Sequence, residues 1–338
     1  MATDRRHFLQ ATAAGLAASG LASSSRSETP QQNSGNVPLR PFGRTKEMVS
    51  AMALGGHAST SPKKMIEAES VRLIQRAVDE GITFMDNCWD YHDGVAEERM
   101  GKALAAGGRR DKTFLMTKVC GRTAKEAQSN LDDSLRRLQT DRIDLWQFHE
   151  IVYDNDPDWI FAADGAIHTA RKALEQGKVR YLGFTGHKDP AIHLKMLAQP
   201  QEWSAVLMPL NVMDVHFRSF QKQVLPKLLE RGIAPLGMKS LGGNGSIVTK
   251  AGVPVVDALR YVLSLPIATL VSGIDSEKVL DQNLKIVRNF KPLSDAERTA
   301  IEHRTLAAAG DGRYELFKTA KDFDGPVHRK QHGFATES

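Results

Sequence analysis

The chain has 338 residues, which is long enough for one barrel-sized domain or two smaller ones. Its formal net charge of +5 is spread along the sequence without a run of like charges. That distribution argues against a nucleic-acid partner and against stable insertion in a membrane. Only two cysteines are present, so the sequence does not suggest a disulfide framework.

The first residues have the order of an export signal. Arg5 and Arg6 precede a moderately apolar run over residues 11–22, which is too short to span a bilayer, and small residues follow it. This order resembles a twin-arginine signal. We therefore expect residues 1–36 to be a signal peptide and disordered linker, the twin-arginine export machinery to be a partner, and the protein to be periplasmic or otherwise exported. A frayed helix with a chance arginine pair is the alternative.

Hydrophobic periodicity divides the rest of the chain into alternating strands and helices. Residues 37–56 are predicted to form a hairpin, with its turn at Gly43 and Arg44, and the first strand of a barrel. Helices are predicted over residues 65–80, 96–104, 124–139, 165–176, 221–231, 255–265 and 293–309, with one more after residue 276. Strands are predicted over residues 82–85, 113–117, 143–148, 179–184, 205–210, 233–238 and 267–271, and a long loop over residues 151–163.

These elements make about eight strand–helix units, which is enough to close one parallel barrel. We expect an α/β fold with a single (β/α)8 TIM barrel over residues 37–293. A C-terminal helix and an irregular tail over residues 294–338 are expected over or near the mouth of its pocket. The sequence has no Gly-x-Gly-x-x-Gly fingerprint after an early strand, which argues against a Rossmann domain.

Polar side chains recur where three consecutive predicted strands end. Asp86, Lys118 and His149 each follow one of these strands, and Tyr91 lies five residues after Asp86. Because parallel strands of a barrel end on the same face, we expect these four side chains to lie close together. In this arrangement the Lys118 ammonium is expected to lower the pKa of the Tyr91 phenol.

The same four residues have a chemical interpretation. Asp86 is the expected counter-ion of Lys118, and His149 is expected to orient a carbonyl oxygen. Tyr91 then acts as a general acid that protonates this oxygen while a hydride reaches the carbon. No protein side chain donates a hydride, so a nicotinamide cofactor is implied.

The chain resembles the aldo-keto reductase superfamily, whose Asp, Tyr, Lys and His at successive strand ends are matched by the four residues above. The resemblance covers roughly residues 37–287 and is carried by the segments 43–45, 49–56, 86–104 and 134–149. It implies a small carbonyl substrate and NADP(H), with NAD(H) as the other possibility.

The resemblance also implies where the cofactor binds. Thr185 supplies one member of a nicotinamide-binding pair whose second position is Gly186, which has no amide, and Leu207 stands where the family often has glutamine. The remaining cofactor positions that match are Met238, Lys239, Gly273, Ser276, Lys278, Gln282 and Asn283. Of these, the segment before the last helix suits a phosphate. Val279 occupies the position of a cation found in many members, which leaves Lys278 as the nearby charge.

Aromatic residues in two loops are candidates for the substrate pocket. Trp89 follows the strand that ends at Asp86, and Tyr153 and Trp159 belong to the predicted loop over residues 151–163. Loops after strands build the binding face of a barrel, where aromatics suit an apolar carbonyl compound. Packing beneath the loop is an equally good interpretation.

Cys88 and Cys120 lie near the expected site, each two residues beyond a candidate catalytic residue. We expect free thiols that serve as small packing residues, with a redox-active disulfide as the alternative. A metal site built from Cys88, His92 and Asp93 has no chelating spacing to support it, so we expect no metal.

The sequence therefore predicts an exported oxidoreductase that reduces aldehydes or ketones to alcohols with NAD(P)H. A nucleotide-binding barrel that serves as a redox sensor or accessory subunit with little turnover is the alternative. The presence of all four catalytic residue types favours the enzyme.

Overall fold

The structure, a computed structural model, describes residues 36–336 of the chain. Arg5, Arg6 and nearly all of the predicted signal segment lie outside these residues. The strands are β1 (Leu39–Pro41), β2 (Met48–Ser50), β3 (Met52–Gly55), β4 (Phe84–Asp86), β5 (Phe114–Val119), β6 (Ile143–Phe148), β7 (Val179–Thr185), β8 (Ala205–Pro209), β9 (Ala234–Met238) and β10 (Thr269–Ser272).

Helices follow the strands of the barrel and continue beyond the last of them. They are α1 (Gly56–Ser59), α2 (Glu67–Asp79), α3 (Val95–Ala105), α4 (Ala124–Arg137), α5 (Asp156–Ile160), α6 (Ala166–Glu175), α7 (Pro190–Leu197), α8 (Phe220–Gln223), α9 (Leu225–Glu230), α10 (Ser246–Thr249), α11 (Val255–Leu263), α12 (Glu277–Arg288), α13 (Asp295–Ala309), α14 (Leu316–Thr319) and α15 (Pro326–Gln331). Among the described residues, no helix is long and apolar enough to cross a membrane.

Strands β3 to β10 form a closed barrel in chain order, and every neighbouring pair is parallel. The predicted single (β/α)8 barrel is confirmed. Strands β1 and β2 form a separate antiparallel hairpin before it. All eight barrel strands therefore end on one face, which is where their polar residues collect.

The hairpin closes the opposite end of the barrel. Phe42, from its turn, is fully buried with Phe84 and Phe114 of the barrel interior, and the ring centroids of Phe42 and Phe114 are 4.8 Å apart. The turn places Gly43 at a φ of 57°, where an added Cβ would lie 2.6 Å from the carbonyl oxygen of Gly232. Apolar packing at this end leaves the carboxyl ends of the strands as the place for a polar site.

Three predicted segments differ from the structure. The helix predicted over residues 221–231 is divided into α8 and α9 at Val224, because Pro226 has no N–H with which to continue the hydrogen-bond pattern. The predicted loop over residues 151–163 contains α5, with Pro157 in its first turn. The predicted irregular tail contains α14 and α15.

The tail is held to the barrel by buried charges. Lys318 is fully buried, and its Nζ lies 2.7 Å from Asp214 Oδ1 and 2.9 Å from Glu315 Oε1. Glu315 in turn accepts a hydrogen bond of 2.8 Å from Asn211, which follows β8. The tail is therefore fixed to the loops at the carboxyl face of the barrel.

We expect Lys318→Met to lower the free energy of unfolding by about 3–5 kcal/mol, because it leaves the Asp214 and Glu315 carboxylates buried without their cation. Denaturant titration measures the loss. Lys330→Met, at an exposed position of α15, is the matched control and should stay near the wild-type value. Equal stability of the two variants would show that the buried charges do not hold the tail.

Candidate active site

Lys118 and Asp86 form a buried ion pair between neighbouring strands. Asp86 is paired with Met116 in the β4–β5 register, and Lys118 lies two residues further along β5, so it points to the same side. Lys118 Nζ bonds Asp86 Oδ1, donates to the carbonyl oxygen of Asn87 at 2.6 Å and reaches the Tyr91 hydroxyl at 3.3 Å. The structure thus brings the predicted acid, cation and carboxylate together.

The charge states of these groups follow from their surroundings. Burial acts to lower the pKa of Lys118, but Asp86, together with Cys88 and Asp90, outweighs this effect and the pKa lies above its ordinary value. Burial, followed by the nearby Asp86 carboxylate, raises the pKa of Tyr91 well above its ordinary value. The expectation that Lys118 lowers the Tyr91 pKa is therefore wrong for this structure, because Asp86 neutralises the ammonium and burial dominates. Tyr91 is a protonated phenol at neutral pH.

The loop that presents Tyr91 has an unusual backbone. Tyr91–Gly94 is a short 3-10 turn in which His92 and Asp93 have φ values of 53° and 55°. Non-glycine residues adopt this left-handed region at a cost, although His and Asp tolerate it better than most. Gly94, also at positive φ, is the N-cap of α3. The turn fixes the Tyr91 hydroxyl over Lys118, with the ammonium 4.7 Å from the ring centroid.

His149 follows β6 and is held by two thiols. Its Nδ1 lies 3.2 Å from Cys88 Sγ and 3.5 Å from Cys120 Sγ. Burial raises the pKa of Cys88 well above its ordinary value and that of Cys120 to about 11, so both thiols are protonated at neutral pH. Burial also lowers the pKa of His149 well below its ordinary value. A neutral imidazole that accepts at Nδ1 has its proton on Nε2, which is the form that donates to a carbonyl oxygen.

The two cysteines are free thiols in the structure, with their Sγ atoms 3.9 Å apart. Asp90 Oδ1 lies 3.6 Å from the same Nδ1 of His149. Asp90 is a residue of the site that the sequence pattern does not predict. A signal was present for the cysteines, because each follows Asp86 or Lys118 by two residues and so lies on the same side of its strand end.

The C-terminal tail lines one side of the site. His328, in α15, has its Nε2 3.4 Å from His149 Nδ1, and the two rings meet edge to face at 5.2 Å. The backbone N–H of Gly325 donates to Glu150 Oε2 at 2.7 Å. Glu150 Oε1 is 2.5 Å from His187 Nε2, which joins the β6, β7 and tail segments. None of these tail contacts was predicted, because they join residues about 180 positions apart.

The predicted nicotinamide positions lie beside the tail. Thr185 is buried at the end of β7, and Met238 is half-buried at the end of β9. Lys239, which follows Met238, has its Nζ 5.5 Å from the Phe317 ring. His187, two residues after Thr185, bonds the Phe317 carbonyl oxygen at 2.8 Å. The tail thus shares the wall against which a nicotinamide would pack.

The predicted phosphate positions lie at the start of α12. Gly273 is exposed, and a side chain built there would meet only Ala58 Cβ, at 3.5 Å. Ser276 caps the helix by accepting from the Val279 N–H. Lys278 is exposed one turn into the helix. The backbone N–H groups at such a helix start suit a phosphate, so this end of the site fits a dinucleotide.

Two predicted cofactor residues face other neighbours. Asn283 is buried and donates to Ser272 Oγ at 2.8 Å, so its amide connects α12 to β10. Gln282 is exposed and lines a crevice between α11 and α12 together with Val256 and Arg260. The structure therefore brings neither amide to the Tyr91 centre.

The three predicted substrate residues are in two places. Tyr153 donates to Asp324 Oδ2 at 2.9 Å, and its ring centroid is 4.1 Å from that of His332 in the tail. Trp159 stacks on the same His332 ring at 4.3 Å. Trp89 instead donates to Asp133 Oδ2 of α4 at 3.1 Å. The tail thus gathers Tyr153 and Trp159, while Trp89 is held against a barrel helix.

Comparison with known proteins matches this chain to one family. The sequence model of the aldo/keto reductase family matches residues 51–255, which is more than half of the chain. The chain belongs to the aldo/keto reductase family. The match covers β3 to β9, and with them the strand ends that carry Asp86, Lys118 and His149.

Two curated relatives are similar to the chain over part of their length. Aldo-keto reductase YhdN of Bacillus subtilis is 29% identical over 185 residues, which cover 52% of this chain and 53% of that protein. 6-Dehydroglucose reductase of Novosphingobium aromaticivorans is 29% identical over 214 residues, which cover 58% of this chain and 67% of that protein. The chain thus spans about half to two thirds of the length of these relatives.

The holo form of aldo-keto reductase AKR11C1 from Bacillus halodurans has a similar structure. It matches with a TM-score of 0.68 and 22% sequence identity, covering 83% of this chain and all of that chain. This likeness shows a shared barrel fold. It does not extend to the choice of substrate, because the loops and tail that shape a barrel's pocket vary most between relatives.

Proposed function

We propose that this chain is an oxidoreductase that reduces an aldehyde or ketone to an alcohol with NAD(P)H, and that Tyr91 is its general acid. The observation that carries the proposal is the position of Lys118 Nζ, between Asp86, the Asn87 carbonyl oxygen and the Tyr91 hydroxyl. Burying an ammonium costs free energy unless its charge is compensated, and Asp86 compensates the charge of Lys118. The third contact of the ammonium is with the Tyr91 hydroxyl.

Each group in this centre has one task. Tyr91 holds the proton that the carbonyl oxygen receives, and Lys118 stabilises the phenolate that remains. Asp86 keeps Lys118 charged and holds its ammonium in position. His149, with its proton on Nε2, donates to the carbonyl oxygen and orients it. Tyr153 and Trp159, packed on the tail, form apolar surface for the rest of the substrate.

The cofactor is proposed from family membership and from the fit of the residues that would hold it. A nicotinamide dinucleotide supplies the hydride when bound. Its phosphates are assigned to the segment from Gly273 to Lys278 at the start of α12, and its nicotinamide to Thr185, Met238 and Lys239. Lys278 favours the additional phosphate of NADP(H), although NAD(H) remains compatible with a single exposed cation.

A second candidate function is nucleotide binding with little turnover, as in a redox sensor or accessory subunit. It is favoured by the tail contacts. Phe317 of the tail lies beside Lys239 and His187, next to the positions proposed for the nicotinamide. The two functions differ in one measurement. Oxidation of NADPH by a panel of aldehydes and ketones supports the enzyme, whereas tight nucleotide binding without oxidation supports the sensor.

We expect Tyr91→Phe to reduce carbonyl reduction by about 10²–10⁴-fold, because it removes the proton donor and little volume. Nucleotide affinity, measured by NADPH fluorescence, should stay unchanged. Tyr181→Phe is the matched control, because that hydroxyl faces Glu47 near the closed end of the barrel. A Tyr91→Phe enzyme as active as the Tyr181→Phe control would remove Tyr91 from the mechanism.

We also propose that the protein is exported through the twin-arginine route after it has folded and bound its dinucleotide in the cytoplasm. Nicotinamide cofactors are made in the cytoplasm, so an unfolded exported chain would meet little of them. Changing Arg5 and Arg6 to lysine should leave folded precursor in the cytoplasm, because lysine keeps the charge and loses the guanidinium pair. Arg26→Lys is the matched control and should be exported normally.

The nucleotide content of the exported protein tests the loading step separately. Protein isolated from the periplasm without added nucleotide should carry NADP(H), detected by mass spectrometry. Nucleotide-free protein with weak affinity would contradict loading, and export of the lysine variant at the wild-type level would contradict the route.

A further inference from the structure

Four metal-ligating side chains meet where β4, β5 and β6 end. Cys88 and Asp90 follow β4, Cys120 follows β5 and His149 follows β6. One ligand atom of each lies within 4.8 Å of all the others. We propose that this cluster binds one divalent cation in tetrahedral geometry, and that zinc is the ion that best suits two thiolates, an imidazole and a carboxylate.

The measured separations are those of ligands around a small tetrahedral ion. Zinc bonds of about 2.3 Å to sulfur and about 2.0–2.1 Å to nitrogen and oxygen place tetrahedral ligand atoms about 3.4–3.8 Å apart. The two sulfur atoms are 3.9 Å apart, and His149 Nδ1 is 3.2 Å and 3.5 Å from them. Asp90 Oδ1 is 3.6 Å from the same nitrogen. The widest pair, at 4.8 Å or less, has to close by about 1.4 Å at most.

The surroundings of Asp90 favour a cation at this position. Its side chain is nine-tenths buried, and its Oδ1 has no hydrogen-bond partner. The nearest ring nitrogen, His149 Nδ1, is 3.6 Å from this oxygen, which is beyond hydrogen-bond distance. A buried carboxylate oxygen in that position is costly. A cation between the four groups satisfies the oxygen and the nitrogen together.

The backbone around the ligands is fixed by side-chain amides. Asn87 Oδ1 accepts from the Cys88 N–H at 2.8 Å, and Asn130 Oδ1 accepts from the Cys120 N–H at 3.1 Å and the Gly121 N–H at 2.9 Å. Such outer contacts hold first ligands in place in established metal sites. Both cysteines are therefore positioned before any ion arrives.

Binding is balanced by the release of protons. Both thiols are protonated in the metal-free protein, so one divalent cation displaces two protons to solvent as two sulfur–metal bonds form. Affinity therefore falls as the pH is lowered. Ligation of His149 through Nδ1 leaves its ring proton on Nε2. The cluster shares His149 with the proposed reduction, whereas neither Tyr91 nor Lys118 is a ligand.

Cobalt titration tests the site without any activity assay. The mature protein is reduced, stripped with a chelator and titrated anaerobically with Co²⁺. We expect one equivalent to give the intense visible absorption of tetrahedral Co²⁺ together with a thiolate charge-transfer band, and Zn²⁺ to abolish both. Because the chain has only two cysteines, a thiolate band can arise only from this cluster.

A matched pair of variants identifies the oxygen ligand. Asp90→Asn keeps the side-chain shape and should weaken Co²⁺ binding by at least about tenfold, since loss of even an outer partner costs 10–100-fold. Asp93→Asn, three residues away on the same loop and exposed, should bind as the wild type does. Cys88→Ser and Cys120→Ser should each weaken the charge-transfer band, and folding of every variant is checked by circular dichroism.

Three results would overturn the proposal. The first is a six-coordinate Co²⁺ spectrum or no stoichiometric binding by the folded wild type. The second is equal affinity of Asp90→Asn and Asp93→Asn. The third is a Cys88–Cys120 disulfide in the isolated protein, found by alkylation without reductant, that gives no Co²⁺ signal once reduced.

Discussion

The burial of one ammonium group is the constraint on which the site depends. Lys118 is 1% exposed, so its charge must be met within the protein. Asp86 meets it, and the Asn87 carbonyl oxygen and Tyr91 hydroxyl take the remaining donors. This arrangement requires β4 and β5 to be adjacent and parallel in a fixed register. The closed barrel, with the hairpin packed at the end opposite the site, holds the two strands in that register.

The tail adds further residues to the site that the barrel strands form. Lys318 is a second fully buried ammonium, paired with Asp214 and Glu315, and it fixes the tail to the carboxyl face. From there the chain reaches Glu150 and His149. The two buried lysines therefore have different tasks. The first contacts the Tyr91 hydroxyl, and the second fixes the tail to the loops at the carboxyl face of the barrel.

Parts of this arrangement could be predicted from sequence because they follow from local periodicity. Asp86, Lys118 and His149 recur once per strand–helix unit, and parallel strands then bring them to one face. The break at Val224 was also predictable, since Pro226 lies within the segment. The fold class follows from the same repetition of strand–helix units, and no feature of the composition argues against it.

Other parts depend on distances that the sequence does not contain. The cluster of Cys88, Asp90, Cys120 and His149 draws on three separate strand ends, so it has no chelating spacing. The tail contacts of His328 join residues far apart in the chain. The pKa of Tyr91 was predicted in the wrong direction because burial and the local excess of carboxylates outweigh a single ammonium that is already paired.

The central claim is that the Lys118–Tyr91 centre completes the reduction of a carbonyl carbon by a nicotinamide cofactor. Single-turnover transfer of isotope tests this most directly. The folded protein is mixed with NADPH that carries deuterium at the reactive position, together with an aldehyde panel, and the products are analysed by mass spectrometry. The account predicts an alcohol with one deuterium at the former carbonyl carbon. Tight binding of the labelled nucleotide with no deuterium in any product would contradict it.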